Sequence, residues 1–166
     1  MKQRTVQVKI SEWRIADAHA RLKSYSLGSC VGLVLWDPKK KIGAMAHILL
    51  PDSKNSRPST TSAKFARPAV EILIEKLCQK GCARERLVAK MAGGANMFPK
   101  KFNPAQEILG RNIGFRNVRA LRKILKEKSI PIIAQDVGGE LGRTIEFNPK
   151  TGELIIYKSN GEVRVI

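Results

Sequence analysis

This chain offers little of what usually holds a small basic protein together or lets it bind a partner. Of its 166 residues only three are cysteine, an odd number without the spacing of a disulfide framework. Cys78 and Cys82 lie close together, but the only histidines are His19 and His47, so the roughly four ligands of a structural zinc are not at hand. Aromatic residues make up 5%, and none of the recurrent nucleic-acid modules is present, which argues against a nucleic-acid partner. Acidic side chains number 14 against 31 lysines and arginines, a net charge of +17. Such a surplus implies an acidic partner or an anionic surface, or else a basic proteome. No apolar run approaches the roughly 18 residues that a membrane-spanning helix needs. The N-terminus alternates polar and apolar residues as far as Ile10 and lacks the continuous apolar stretch of a secretory signal. These absences point to a single domain over 1–166, not membrane-spanning and placed in the cytoplasm, with 43% hydrophobic residues available for a core.

What is present concentrates on two residues. Cys30 ends the small-residue segment Leu27-Gly28-Ser29-Cys30 and opens the apolar run Val31 to Trp36. His47 ends the polar-free stretch Gly43-Ala44-Met45-Ala46 of a second apolar run, Ile42 to Pro51, and Asp37-Pro38-Lys39-Lys40 is a turn between the runs. If the runs pair as an antiparallel hairpin with loop 37–40, residue 30 stands opposite residue 47. Opposed residues share a face, whereas a slip of one residue would separate them. A thiol beside an imidazole is the minimum for a cysteine hydrolase or amidase. Plain packing suits a Cys beside an apolar run equally well, and hydrogen bonding suits a strand-end His.

Elsewhere the pattern is strand-rich. Short strands are expected around Val6–Ile10, Trp13–Ile15, Leu22–Leu27, Leu87–Met91 and Ile130–Gln135, with three more at Thr144–Phe147, Glu153–Lys158 and Val163–Ile166. Residues 51–62 form a polar loop that could flank a site or simply connect. Apolar residues at helical spacing predict a helix over about 63–80, ended at Gly81, with Cys78 on its packed face. A second helix is predicted over 115–128, with Val118, Leu121 and Leu125 inward and Arg116, Arg119, Lys123 and Lys126 along one basic face. The Gly93-Gly94 pair after a strand implies close backbone approach or positive φ; no Gly-Lys-Ser/Thr follows, so it is not a phosphate loop.

Several segments together resemble the CheD family of chemoreceptor glutamine deamidases. They are Leu27 to Val31, Gly43 to His47 with Leu50-Pro51, Ala92 to Phe98, Asn112 to Val118, Asp136 to Gly139, and Arg143 to Asn148 followed by Thr151 to Leu154. The resemblance implies an α+β fold, a four-layer α/β/β/α sandwich with mixed β-sheets. It implies Cys30 as nucleophile and His47 as base. The third member is a Thr six residues before the Cys; here it is Ser24, which keeps the hydroxyl and lacks the methyl. The implied reaction hydrolyses glutamine side chains on the cytoplasmic helices of chemoreceptors through a thioester, with no cofactor and no metal. Backbone N–H groups near Ser29 and Cys30, or in the Gly93-Gly94 loop, would face the oxyanion. A CheC-type phosphatase is the further partner implied, and a monomer the implied state. The competing expectation is a module that docks on receptors or on the phosphatase with weak or no catalysis.

Overall fold

The computed structural model describes residues 3–52, 62–97, 99 and 112–166. Most of the polar loop 51–62, together with Phe98 and the basic stretch 100–111, lies outside the described residues. The strands are β1 (Arg4–Gln7), β2 (Trp13–Ala16), β3 (Ala20–Leu27), β4 (Val31–Asp37), β5 (Ile42–Ile48), β6 (Val88–Gly93), β7 (Ile132–Val137), β8 (Arg143–Phe147), β9 (Leu154–Lys158) and β10 (Val163–Val165). The helices are α1 (Ala66–Gln79) and α2 (Ile113–Glu127). The strands form two five-stranded sheets, ordered β1-β3-β8-β9-β10 and β2-β5-β4-β6-β7. Each is mixed: β1–β3 and β6–β7 are parallel pairs, and the others are antiparallel.

The α+β class with two mixed sheets agrees with the expectation. The sheets pack face to face through Leu22, Leu27, Val34, Met45, Ile145 and Phe147. Both helices cover the far side of the second sheet, where Leu73, Leu77, Leu121 and Leu125 meet Val31, Leu33, Leu35, Ala44 and Ala46. The other helical layer of the expected sandwich has no element among the described residues. This layering explains why β4 reads as a continuous apolar run. Alternate residues of a strand face opposite sides, and here both sides are core.

Local chemistry sets the ends. α1 stops at Gly81, whose φ of +81° favours glycine. Asn112 caps α2, its Oδ1 accepting from the Phe115 N–H at 3.0 Å. Cys78 is exposed, not packed as its spacing suggested, while Cys82 beyond the helix is buried. The stripe that turns inward runs through Leu73, Ile74 and Leu77, and Cys78 falls just outside it.

Candidate active site

The β4–β5 hairpin turns one residue further along the chain than its sequence suggested. Asp37 pairs with Ile42, so the turn is 38–41 and Gly32 stands opposite His47. The cause is Asp37, whose Oδ1 accepts the N–H groups of Lys39 and Lys40 at 3.0 and 3.2 Å, with Lys41 left-handed at φ +53°. Burial would push the Asp37 carboxyl up, but Arg86, at 2.7 Å, and the turn N–H groups hold it below the usual range. Relative to the expected pairing the strands slide by two residues, and an even slide keeps each side chain on its face. Cys30, just before β4, and His47 on β5 therefore both point into the space between the sheets, with Val34 and Met45. Gly32 contributes no side chain between them. A Cβ there would run into Ile145 and Leu27.

The partner of His47 comes from the opposite sheet. Ser24 on β3 is 0% exposed and His47 is 1% exposed. The Ser24 hydroxyl lies 2.8 Å from the Val8 carbonyl and 2.8 Å from His47 Nδ1. A carbonyl only accepts, so the single hydroxyl proton goes to Val8. Ser24 Oγ must then accept from Nδ1–H. This arrangement fixes the tautomer: Nε2 carries the lone pair. It is buried and has no hydrogen-bond partner among the described residues. Burial pushes the His47 pKa down to about 4, with the Val8 carbonyl acting the other way. Burial pushes the Cys30 thiol above its ordinary value, countered by its own backbone N–H. Burial thus disfavours the charged form of both groups.

The backbone around Cys30 is held from several sides. The Cys30 carbonyl accepts from Gly94 N–H at 2.8 Å, and the Gly28 carbonyl from Ala95 N–H at 2.9 Å. The Gly94 N–H is thereby used, so it is not free to meet an oxyanion. Gly93 in turn has φ +117°, and its carbonyl accepts from Gly138 N–H at 2.9 Å. Arg143 secures that second loop: its guanidinium donates to Asp136 Oδ1 at 2.8 Å and to the Gly138 carbonyl at 3.0 Å. Burial alone would raise the Asp136 carboxyl, but Arg164 and Arg143 hold it below its ordinary range. The segments Ala92–Met97 and Asp136–Gly139 thus form one scaffold behind Cys30.

Sequence reasoning singled out Ser24, Cys30 and His47, and the structure brings Ser24 and His47 into contact and Cys30 onto their side. It missed the Val8 carbonyl, which no side-chain pattern marks, and the buried Asn117, which sits among the quoted residues without a spacing signal. Among the described residues no cluster of His, Cys, Asp and Glu could hold a metal.

Ser24→Ala removes both the acceptor for Nδ1–H and the donor to Val8. Its expected cost is roughly 10- to 100-fold in kcat, since a buried group left unpaired costs about 1–3 kcal/mol, and Ser24→Thr should keep activity. Steady-state deamidation assays check this. A Ser24→Ala variant as fast as the wild type would show that the hydroxyl does not orient the ring.

Known proteins resemble this chain along most of its length. A family model described as "CheD chemotactic sensory transduction" matches residues 49–158. The chain is 44% identical over 152 residues to the probable chemoreceptor glutamine deamidase CheD 2 of Geobacter metallireducens, covering 91% of each chain. It is 41% identical over 166 residues to the corresponding probable deamidase of Caldanaerobacter subterraneus, covering 100% of both. It is 43% identical over 152 residues to the chemoreceptor glutamine deamidase CheD of Bacillus licheniformis, covering 91% of this chain and 88% of that one. Among solved structures, the Neisseria meningitidis protein NMB0706 overlays with a TM-score of 0.43 at 10% identity, over 83% of this chain and 63% of that one, too distant to bear on the argument. A family match across most of the chain, with relatives above 40% identity along nearly its whole length, shows that this chain belongs to the CheD family.

Proposed function

We propose that this protein deamidates glutamine side chains of chemoreceptors, with Cys30 as nucleophile, His47 as general base and acid, and Ser24 orienting His47. The observation that carries the reading is the Val8–Ser24–His47 hydrogen-bond chain, which leaves Nε2 as a bare acceptor on the Cys30 side of the sheet. As the Cys30 sulfur attacks the side-chain carbonyl carbon, Nε2 takes the thiol proton. The C–S bond forms and the C=O electron pair moves to oxygen. The imidazolium is unfavourable in this buried site, so it returns its proton readily to the amide nitrogen. Ammonia leaves and a glutamyl thioester remains. Water, deprotonated at Nε2, attacks the thioester, and glutamate and the free thiol are released. No step calls on a cofactor.

The substrate class follows from the relatives, which carry the name of chemoreceptor deamidases. Receptor signalling helices present carboxylates, and this chain carries +17. On α2, Arg119, Lys123 and Lys126 are exposed, Arg116 is half-buried, and Phe115 at the same end is 59% exposed. A groove of about 390 Å³, lined by Ser26, Leu27, Gly28, Met97 and Tyr157 among others, reaches the segment that ends in Cys30. The reading includes a cytoplasmic, monomeric enzyme and a CheC-type phosphatase as a second partner; no helix among the described residues is long and apolar enough to cross a membrane.

Peptide mapping of a receptor cytoplasmic fragment after incubation with the protein tests the reading: discrete glutamines convert to glutamate. Tight binding without any conversion would instead favour a docking module.

Electrostatic attraction should raise the association rate more than the chemical step. A variant with Arg116, Arg119, Lys123 and Lys126 all changed to Gln should bind the fragment roughly 10-fold more weakly at low salt. The difference should vanish near 1 M salt, where the Debye length is about 3 Å. Equal affinities at low salt would show the basic face to be only solvated surface.

A further inference from the structure

We propose that Asn117 is a positioning residue for the nucleophile: by clamping the Ser29 and Leu49 carbonyls it aims the Cys30 N–H at the oxyanion. The proposal rests on the deamidase reading above and goes beyond it.

Asn117 lies in α2 and is 0% exposed. Its Nδ2 donates to the Ser29 carbonyl at 3.0 Å and to the Leu49 carbonyl at 3.1 Å. Ser29 immediately precedes Cys30, and Leu49 follows His47 by two positions. One amide thus ties the segment bearing the thiol to the segment bearing the base. The Asn117 Oδ1 is buried and has no partner among the described residues. The two carbonyls set the orientation, because turning the amide over would place an acceptor against both. A buried acceptor left unpaired is uncommon and calls for an explanation. A side chain serving only to fill space would be apolar here.

The explanation lies in the peptide between Ser29 and Cys30. A trans peptide is planar, so its C=O and the following N–H point to opposite sides. With the Ser29 carbonyl held towards α2, the Cys30 N–H points away from the helices, towards the gap between the sheets. That gap is also where the Cys30 side chain lies, and its own backbone N–H favours the charged form of the thiol. An N–H beside the attacking atom is where an oxyanion donor must be. Competing donors are taken: Gly94 N–H goes to the Cys30 carbonyl and Ala95 N–H to the Gly28 carbonyl. Among the described residues, no backbone hydrogen bond outside the helices and strands uses the Cys30 N–H. Gly114 allows α2 to come this close, since a Cβ there would lie 2.5 Å from the Gly94 carbonyl oxygen and 2.6 Å from that of Ala95.

The test uses the full chain with Asn117→Ala and with Asn117→Asp, which keeps the shape of the side chain and removes the amide donors. Three quantities are read: deamidation of the receptor fragment, alkylation of Cys30 by iodoacetamide, and thermal unfolding to confirm folding. Alkylation is a displacement at a saturated carbon and forms no oxyanion, so it reports the thiol alone. Expected is a roughly 10- to 100-fold loss of kcat, with KM, Cys30 alkylation and the pH profile of activity changed by no more than about twofold. If Asn117→Ala does not fold, Asn117→Asp carries the same expectation. Unchanged kcat in a folded variant overturns the proposal. So does a parallel fall of kcat and alkylation, which marks a purely structural role. A wild type that alkylates at Cys30 and deamidates nothing overturns the deamidase reading, and the proposal with it.

Discussion

Cys30→Ala is expected to abolish deamidation while leaving the fold in place. The variant removes the only atom in the site that can form a thioester, and general-base water attack by His47 is a poor substitute. Little stability should be lost, because one sulfur is removed from a position still 8% exposed at the edge of the inter-sheet core. Turnover within tenfold of the wild type would rule out covalent catalysis at this position. Cys78→Ala and Cys82→Ser serve as controls and should retain activity. Cys82 sits apart, buried near Asp37, with its thiol pushed up to about 11 by burial and by that carboxylate. Cys78 is exposed, so brief alkylation labels it as well as Cys30, and only site-resolved mapping separates them.

His47→Ala is expected to lower the rate by roughly two to four orders of magnitude, the usual span for a general acid–base group. The ring also makes a pH signature. Its folded pKa is depressed from 6.5 to about 4, so the fold prefers the neutral imidazole. As pH falls below 6.5 the unfolded chain takes up a proton that the folded chain refuses. Stability therefore falls across the window from 6.5 to about 4 and levels off below it. The total is on the order of 3 kcal/mol. Denaturant titrations at a series of pH values should show this slope in the wild type and lose it in His47→Ala. An identical slope in both proteins would mean that His47 is not held neutral by burial.

The elements and most of their order were legible because hydrophobic period and turn residues act locally. Val31 to Trp36, Ile42 to Leu50 and the two helices announce themselves by period alone. The hairpin register was not legible in full: side-chain capping by Asp37 moved the four-residue turn from 37–40 to 38–41, and flanking strands cannot reveal that. Parity survived the difference, so Cys30 and His47 share a side. The packed face of α1 was read one residue too wide, at Cys78. Which Ser or Thr meets His47 is decided between sheets, where no sequence spacing applies; the family resemblance supplied Ser24. The Val8 carbonyl, the Asn117 clamp and the Asp136–Arg143 pair depend on how distant segments dock, and a linear pattern carries no record of that.

The central claim is that Cys30 becomes acylated by a glutamine side chain. The direct measurement is rapid acid quenching of wild-type protein turning over a receptor fragment, followed by mass spectrometry of the Cys30 peptide. The account predicts a glutamyl thioester on Cys30, equal in mass to the substrate less ammonia, absent from Cys30→Ala and lost on treatment with hydroxylamine. Conversion of glutamine to glutamate with no adduct on Cys30 in single-turnover time courses, or an adduct on Cys78 instead, would contradict it.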